Sequence, residues 1–441
     1  MIRLLHRLYR LGSATRRMLR LRLTPAGASV VGAFLLLSSL AANPGQTLAY
    51  QAWALTSVLL FGAAVFMPFF RARLEVHRIL PRFGTAGHPL RYRIRLKNLS
   101  ARTQTGLDFG ETLYRNRLDL DTFREMLRPG RRRKSFQLSA PLPPRSPARL
   151  SIHQAPVIPG NGSAEFIGEL LPFQRGPLHF VGAWVGRTDP LGLLRSLCKI
   201  KAPATVMILP KRYPVSPQAL PGSSQYQHRG VNFASGIGES EEFVGVREYR
   251  HGDSLRRIHW RVSARLDKPV VREYQDEYFV RHALVLDTFC DSSLDFIFEE
   301  AVAVAASFAY TVPDQDSLLD LLFVGPATVC VTAGRGVGNT EHMLEVLACA
   351  RPCREPRVPD LARHVLQYSS RMSGCLLLLL EWDEPRREIV RALKALHIPV
   401  WVLLVIPPDA DAPPPPESAE HRPDRWIPLK LGEVEEGLRK L

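Results

Sequence analysis

The residues with the most chemical potential lie together in one polar stretch near the middle of the chain. Between residues 238 and 265, glutamates and arginines alternate with tyrosine, tryptophan and histidine in a pattern typical of neither a regular helix nor a regular strand. Arginine pairs bidentately with carboxylates, and such networks can fix irregular backbone where little apolar surface is buried. The composition favours a structural ion-pair network, with Asp253 expected to cap the start of a helix.

A hydrolytic site is the alternative for the same stretch. Either His251 or His259 would act as the general base, with Asp253 orienting it. Ser263 or Cys290 would then be the nucleophile. The sequence has no glycines of nucleophile-elbow spacing, and no spacing favours one combination of these residues. We therefore expect no catalytic residues and no enzyme activity, and keep a membrane-bound hydrolase as the alternative.

Other motifs carry weaker chemical signals. Residues 334–340 place three alternate glycines between a strand and a helix, but the Gly-Lys-Ser/Thr ending of a phosphate cradle is missing. The six cysteines show no paired CxxC spacing, so we expect reduced, buried thiols and no zinc site. These patterns predict no small-molecule substrate.

The elements that position these residues begin with a predicted membrane anchor. Residues 1–23 form a basic head with seven arginines and no acidic residue, and residues 24–70 contain two uncharged apolar stretches joined by a short turn. Each stretch is close to the ~20 residues that a transmembrane helix needs. Arginines flank both outer ends of this pair. The pattern predicts a two-helix hairpin in the inner (cell) membrane, a multi-pass anchor with the lipid bilayer as a partner and the other domains in the cytoplasm.

Residues 74–210 change to a strand-like period. In residues 90–97 apolar and basic side chains alternate, and further short runs of this kind are separated by Pro, Gly and Ser turns. This predicts a small β-sandwich-like domain. Residues 211–237 are rich in Pro, Ser, Gln and Gly, so we expect a linker there.

Residues 281–441 alternate strand-like and helix-like runs. The most apolar run, residues 375–380, has five leucines after a cysteine and predicts a buried central strand. Alternation of this kind predicts a doubly wound α/β domain, with ligands at the carboxyl ends of its strands.

The polar stretch also contains a spaced set of glycine, aromatic, acidic and basic residues, which we assign to a signature segment over residues 238–280. These residues are Phe243, Gly245, Arg247, Glu248, Tyr249, Gly252, Asp253, Arg256, Ile258, Trp260, Ala264 and Arg265. The set resembles the signature of a bacterial family catalogued as domain of unknown function fifty-eight. The basic head, the apolar hairpin and the turn at residues 189–193 resemble that family in the same order. The resemblance implies a von Willebrand A-like domain over residues 281–441 and a gene neighbourhood with MoxR-type AAA ATPases, and it implies no activity.

A von Willebrand A-like domain would place a metal-ion-dependent adhesion site at the carboxyl edge of its sheet. Such a site binds Mg²⁺ through oxygen ligands only. Asp287 stands where the first ligand is wanted, while Asp291 and Asp383 could supply two more carboxylates. Phe289 offers no oxygen where the pattern has a serine, so the site is degenerate. We expect no cofactor, with Mg²⁺ at these three aspartates as the alternative.

The resulting expectation is a membrane-anchored α+β protein of several domains: a transmembrane hairpin, a β-sandwich-like domain and a doubly wound, von Willebrand A-like domain. Its expected function is that of a non-catalytic protein-interaction module, working with a MoxR-type AAA ATPase in the maturation or assembly of envelope proteins. The net charge of +16 keeps nucleic-acid binding as a third candidate. We expect no nucleic acid as a partner, because acidic residues are interspersed among the arginines of the signature segment.

Overall fold

The structure is a computed structural model that falls into two compact units, residues 1–211 and 212–441. It describes residues 21–40, 47–114, 146–215, 241–276, 280–290, 295–311, 317–325, 327–334, 340–354, 358–410 and 421–441, together with a few isolated positions. The head, apart from its last residues and isolated positions, and most of the predicted linker lie outside these ranges. From Arg212 onward, the described residues of the predicted linker belong to the second unit. Tyr213 is buried there, and its backbone N–H donates to the hydroxyl of Ser307, a helical residue, at 2.8 Å.

The first unit begins with two apolar helices, α1 (Pro25–Leu40) and α2 (Thr47–Phe66). They contact each other through Trp53, whose ring stacks on Phe34 with centroids 6.1 Å apart. The Trp53 indole N–H donates to the Ser38 hydroxyl at 3.0 Å. Large apolar side chains such as Phe61 point outward from this pair. The two helices therefore form a hairpin that leaves its apolar surface uncovered by described protein.

Only one described helix is long and apolar enough to cross a membrane, and it runs over Leu48–Phe69. Within this stretch, 6% of the most apolar window is buried inside the protein. Helix α1 is apolar but shorter, with 16 residues. By length and composition, the structure thus supports one candidate span where the sequence predicted two.

Nine strands of the first unit form two sheets that enclose one apolar core. Strand order is β1-β3-β7-β5 in one sheet and β2-β9-β8-β4-β6 in the other. Alternation in β3 buries Tyr92, Ile94 and Leu96 against residues such as Phe109 and Val185 of the second sheet. The strands are β1 (Leu74–Ile79), β2 (Phe83–Thr85), β3 (Leu90–Asn98), β4 (Asp108–Leu113), β5 (Ala148–Leu150), β6 (His153–Gln154), β7 (Ser163–Pro172), β8 (Gly176–Thr188) and β9 (Arg195–Leu209).

The turn at residues 189–193 connects the sandwich to the start of α1. Thr24 donates its hydroxyl to the backbone carbonyls of Gly192 and Leu193, at 2.6 and 3.0 Å. Gly27 lies so close that a Cβ there would be 2.0 Å from the Leu193 carbonyl oxygen. Only glycine allows this approach, so the hairpin and the sandwich are held together at a defined point.

The second unit opens with the signature segment. Strands β10 (Glu241–Glu248) and β11 (Val270–Asp276) pair antiparallel, with a register shift between Phe243 and Gly245. The sequence pattern predicted no regular strand in this segment. That prediction was wrong, because a strand lies at each end of the segment. The irregular part is confined to residues 249–269, which carry a short 3-10 turn and helix α3 (Trp260–Leu266).

The rest of the second unit is a six-stranded sheet in the order β14-β13-β12-β15-β16-β17. All neighbouring strands are parallel except β13 and β14, which form an antiparallel edge. The sheet packs against helices and buries nearly every residue of its central strands. The strands are β12 (Val280–Leu286), β13 (Ser317–Val324), β14 (Thr328–Ala333), β15 (Gly374–Leu379), β16 (Val400–Ile406) and β17 (Arg425–Lys430). The helices are α4 (Asp295–Thr311), α5 (Thr340–Cys349), α6 (Val358–Tyr368), α7 (Glu384–Ala395) and α8 (Val434–Arg439).

Two of these elements had no counterpart in the sequence expectations. Helix α6 has a narrow apolar stripe with Leu361 and Val365 in the core, between charged residues. Strand β17 contains a proline, Pro428, which is typical of edge strands and weakens a strand prediction.

Candidate functional site

The carboxyl edge of the six-stranded sheet holds a buried carboxylate. Asp287 directly follows β12 and is 0% exposed. Its Oδ1 accepts the backbone N–H of Phe289 at 3.0 Å, and its Oδ2 accepts the backbone N–H of Leu380 at 3.2 Å. Leu380 follows the neighbouring parallel strand β15. Asp287 therefore joins the loops after two adjacent strands at the point where strand order reverses, the place where open α/β sheets hold ligands.

The charge partner of Asp287 comes from helix α7. Arg386, 2% exposed, donates its Nε to Asp287 Oδ2 at 2.7 Å. The same guanidinium donates to the Phe289 carbonyl oxygen at 2.9 Å and to Asp383 Oδ2 at 2.7 Å. Asp383 also caps α7 by accepting the backbone N–H of Arg386. The guanidinium thus binds three acceptors in the space between the loops.

Burial raises the pKa of Asp287 above its ordinary value, while Arg386 and the two backbone amides act in the opposite direction. An arginine is the residue suited to this position, because its guanidinium stays charged and its planar fork serves several acceptors at once. Sequence reasoning missed Arg386. The available signal was an arginine in the first turn of a helix that begins just after the most buried strand.

These residues do not fit Mg²⁺ in the arrangement seen. The cation needs several free oxygen atoms pointing into one space, and both oxygens of Asp287 are occupied by N–H donors. Asp383 shares the same guanidinium, and Asp291 lies outside the described residues. Within the described ranges, no group of three or more His, Cys, Asp or Glu side chains could hold a metal ion. The expectation of no cofactor, with Mg²⁺ at these aspartates as the alternative, stays a prediction that titration with Mg²⁺ tests.

A second charge cluster organises the signature segment. The two terminal nitrogens of Arg247, in β10, donate to the two carboxylate oxygens of Asp253, each at 2.7 Å. Asp253 Oδ2 also accepts the backbone N–H of Arg250 at 2.8 Å. The Arg247 hydrogen bonds, followed by the Arg250 amide, hold the pKa of Asp253 at about 2. Gly252 between them has φ +109°, a conformation that favours glycine.

Asp253 therefore closes a turn and does not cap a helix, so its predicted capping role was wrong. The 3-10 turn that follows starts after Ser254 and has no side-chain cap. The residues that hold helix α3 are different ones. The Ser263 hydroxyl accepts the backbone N–H of Val270 at 2.9 Å, and the backbone N–H of His259 donates to the Val270 carbonyl at 2.8 Å.

The hydrogen bonds of the described residues do not link Asp253, a histidine and Ser263 in the way that a hydrolytic site needs. Asp253 is bonded to Arg247 and Arg250, not to either histidine. The Ser263 hydroxyl is engaged with the Val270 backbone. His251 is exposed and His259 is half-buried.

The other signature residues divide by exposure. Ile258 is buried and bridges to Val271 of β11. Glu248 is exposed and pairs with Lys268 at 3.2 Å, while Tyr249 and Gly245 are half-buried. The side chain of Phe243 is outside what the structure describes. The exposed signature residues on the irregular part are Gly252, Arg256, Trp260, Ala264 and Arg265.

The described parts thus define a class: an apolar helical hairpin and β-sandwich in one unit, and a mainly parallel α/β sheet preceded by an arginine-rich β-hairpin in the other. The family model described as Protein of unknown function DUF58 matches residues 245–410. This range contains most of the signature segment and the sheet as far as β16. The resemblance seen in the sequence is confirmed for this part of the chain.

Among curated proteins, the chain is similar to the uncharacterized protein YeaD of Bacillus subtilis (strain 168), at 28% identity over 184 residues. The match covers 41% of this chain and 44% of YeaD, so it spans less than half of that relative. Among solved structures, this chain overlaps the CARDB domain of a Pyrococcus furiosus protein at 12% identity and TM-score 0.17. The overlap covers 31% of this chain and 93% of that domain. Spo0M, a sporulation control protein of Bacillus subtilis, overlaps at 10% identity and TM-score 0.16, covering 32% and 50%. Overlaps this small carry no inference about fold or function.

Proposed function

We propose that this protein is a membrane-anchored, non-catalytic module that binds a protein partner through its second unit. The observation that carries the proposal is the pairing of Asp287 with Arg386 at the carboxyl edge. The polar groups at the usual ligand-binding place of an α/β sheet are bonded to each other, and Asp287 has no exposed surface. In the described part of this edge, the carboxylate and the guanidinium at its centre are bonded to each other, so neither is free for catalysis and the edge serves as a scaffold for surface loops.

The anchoring part of the proposal is supported by the helix over Leu48–Phe69, which is uncharged and almost unburied. In the proposed arrangement α1 crosses beside it as the second arm of the hairpin. Its 16 residues span about 24 Å as a helix, and a bilayer can thin locally around a short span. Arginines outside both arms favour the cytoplasm for the flanking segments, and hence an inner-membrane location.

The von Willebrand A-like assignment is supported by the topology of the six-stranded sheet. The first strand of the domain, β12, lies inside the sheet, and the only antiparallel strand in the described sheet, β14, is at its edge. In this proposal the domain uses the fold of an adhesion module and replaces its cation by a guanidinium. The partner implied by the family resemblance is a MoxR-type AAA ATPase, in maturation or assembly of envelope proteins.

The test is chemical crosslinking of the full-length, tagged protein in native membranes, followed by detergent extraction and affinity capture. A reproducible crosslinked protein that is absent from cells with untagged protein is the expected result. Topology reporters fused after Leu441 and into residues 43–46 check the anchor, with cytoplasmic and periplasmic activity expected, respectively. Failure to recover any protein from repeated captures would remove the binding function.

The membrane-bound hydrolase stays the alternative, and the hydrogen bonds of the described residues do not link its candidate residues into a catalytic chain. Alanine at both His251 and His259 distinguishes the two functions. A binding module should retain complementation of a deletion strain, whereas a hydrolase that uses either base would lose it.

A further inference from the structure

Helix α3 presents one exposed face, which we call the signature face and define as Trp260, Arg261, Ala264 and Arg265. Ala264 follows Trp260 by four residues and Arg261 by three, and Arg265 follows Arg261 by four, so the four residues lie on the same side of the helix. All four are exposed, and Trp260 is 70% exposed. On the opposite side Val262 and Ser263 are half-buried, while Leu266, at the end of the helix, is exposed. The face therefore combines an aromatic ring, a small residue and two guanidinium groups.

The two arginines of this face make no ion pair with any side chain that the structure describes, and the same holds for Arg256 in the preceding 3-10 turn. This contrasts with Arg247 and Lys268 in the same segment, which bind Asp253 and Glu248. Tryptophan and arginine are the residue types most enriched at the energetic centres of protein interfaces. A guanidinium also pairs bidentately with a carboxylate, so this face is complementary to an acidic surface.

The face is fixed in place before any partner arrives. The Arg247–Asp253 fork closes the turn that leads into it, and the Ser263 hydroxyl and the His259 amide bind the backbone of Val270. A preorganised face loses little conformational freedom on binding, which favours affinity. These bonds join the irregular turn and helix α3 to the β10–β11 hairpin and leave Trp260 exposed.

A protein surface fits this face better than an anionic lipid surface. Recruitment to anionic lipid uses clusters of four to eight Lys and Arg. Residues 241–276 carry eight Lys and Arg against seven Asp and Glu, a net of one positive charge. A lipid surface is extended, so its headgroups would meet these carboxylates as well as the arginines. A local acidic patch on a protein can contact the signature face alone.

We infer that the signature face docks a carboxylate-rich segment of the partner protein, with Trp260 as the apolar anchor and Arg261 and Arg265 as the charge anchors. This inference rests on the proposed binding function and specifies where and by what chemistry it operates.

The experiment places a photo-crosslinking amino acid at position 264 of the full-length chain, in native membranes. The control position is Ala395, an exposed alanine at the end of α7. We expect a protein crosslink from position 264 only, at a peptide rich in Asp and Glu. Hexaglutamate added to permeabilised membranes should reduce it, whereas hexaglutamine should not.

The double substitution R261E/R265E should reduce this crosslink by about tenfold or more, because it replaces two guanidinium groups by carboxylates. R261K/R265K keeps the charge without the fork and should give an intermediate loss. R351E/R371E, at exposed arginines elsewhere in the unit, is the charge-matched control and should leave the crosslink unchanged.

The inference is overturned by crosslinks from position 264 to lipid alone, by a crosslinked peptide without acidic residues, or by equal crosslinking in R261E/R265E and its control. If position 264 gives no protein crosslink while chemical crosslinking still captures a partner, the docking face is wrong and the binding function stands. If neither method yields a protein, the binding function itself fails.

Discussion

The carboxyl edge and the signature segment both use an arginine fork on an aspartate, but in opposite surroundings. At the carboxyl edge, Arg386 and Asp287 have side-chain exposures of 3% and 0%. In the signature segment, Arg247 and Asp253 have 36% and 19%. The hydrogen-bond lengths are the same, 2.7 Å. The difference lies in how much water each charge loses.

Burial decides what each pair can do. Removing one partner of a buried pair leaves an uncompensated charge in the interior, which is strongly destabilising. An exposed pair is screened by water and salt, so its loss has little effect on global stability. The first pair therefore stabilises the sheet edge, whereas the second fixes the local shape of a turn and the face that follows it.

The largest expected effect is that of Arg386→Met. The substitution leaves Asp287 buried without its cation, so we expect a loss of about 3–5 kcal/mol in the free energy of unfolding. The free energy of unfolding is measured by chemical denaturation of the detergent-solubilised protein, with a signal that reports the unfolding of the second unit. Combining it with Asp287→Leu should restore part of the loss, because both charges are then gone.

Arg391→Met is the matched control in the same helix. Arg391 is half-exposed and paired with Glu388, and its loss should change the free energy of unfolding by about 0–1 kcal/mol. Equal effects of the two substitutions would mean that burial does not separate the two kinds of pair.

A smaller and local effect is expected from Asp253→Ala. The turn loses the acceptor of the Arg247 fork and of the Arg250 amide, so hydrogen exchange of that amide should become roughly tenfold faster. The global unfolding midpoint should stay essentially the same. Hydrogen exchange with mass spectrometry measures both, with Glu248→Ala, at an exposed ion pair, as the control. Global destabilisation by Asp253→Ala would contradict a purely local role.

Low pH should weaken the turn of the signature segment, as Asp253→Ala does. The pKa of Asp253 is lowered to about 2 by Arg247 and the Arg250 amide. A lowered pKa means that this carboxylate stabilises the turn fully above pH ~4 and loses the effect as the pH falls toward ~2. Exchange protection of the Arg250 amide, corrected for intrinsic rates, should fall in that window. A fall centred near pH 6 would assign the effect to a histidine.

The smallest expected effect is that of Mg²⁺ on the wild-type protein. The guanidinium of Arg386 fills the place beside Asp287, so millimolar Mg²⁺ should leave the unfolding midpoint unchanged. In Arg386→Ala the carboxylates of Asp287 and Asp383 are released, and Mg²⁺ should then raise the midpoint. A rise with the wild-type protein would instead establish the magnesium site at these aspartates.

Much of the element order followed from local patterns in the chain. The leucine-rich strand predicted over residues 375–380 is Gly374–Leu379 in the structure, a shift of one residue. Apolar runs of this length leave few alternatives, because they must be buried. Helix α6 and strand β17 were not predicted, since their apolar stripes are narrow and mixed with charge or proline.

The sequence by itself determined the apolar hairpin, the strand-to-helix alternation and the concentration of charge around Asp253, since these are properties of neighbouring residues. Only the tertiary structure decided which charged residues distant in the sequence form ion pairs. Asp287 and Arg386 are 99 residues apart, and they meet because parallel pairing of β12 with β15 brings the ends of both strands to one edge. Arg247 and Asp253, by contrast, are six residues apart, and the turn at Gly252 brings them together locally. Long-range ion pairs such as Asp287–Arg386 depend on strand pairing, which no local pattern encodes.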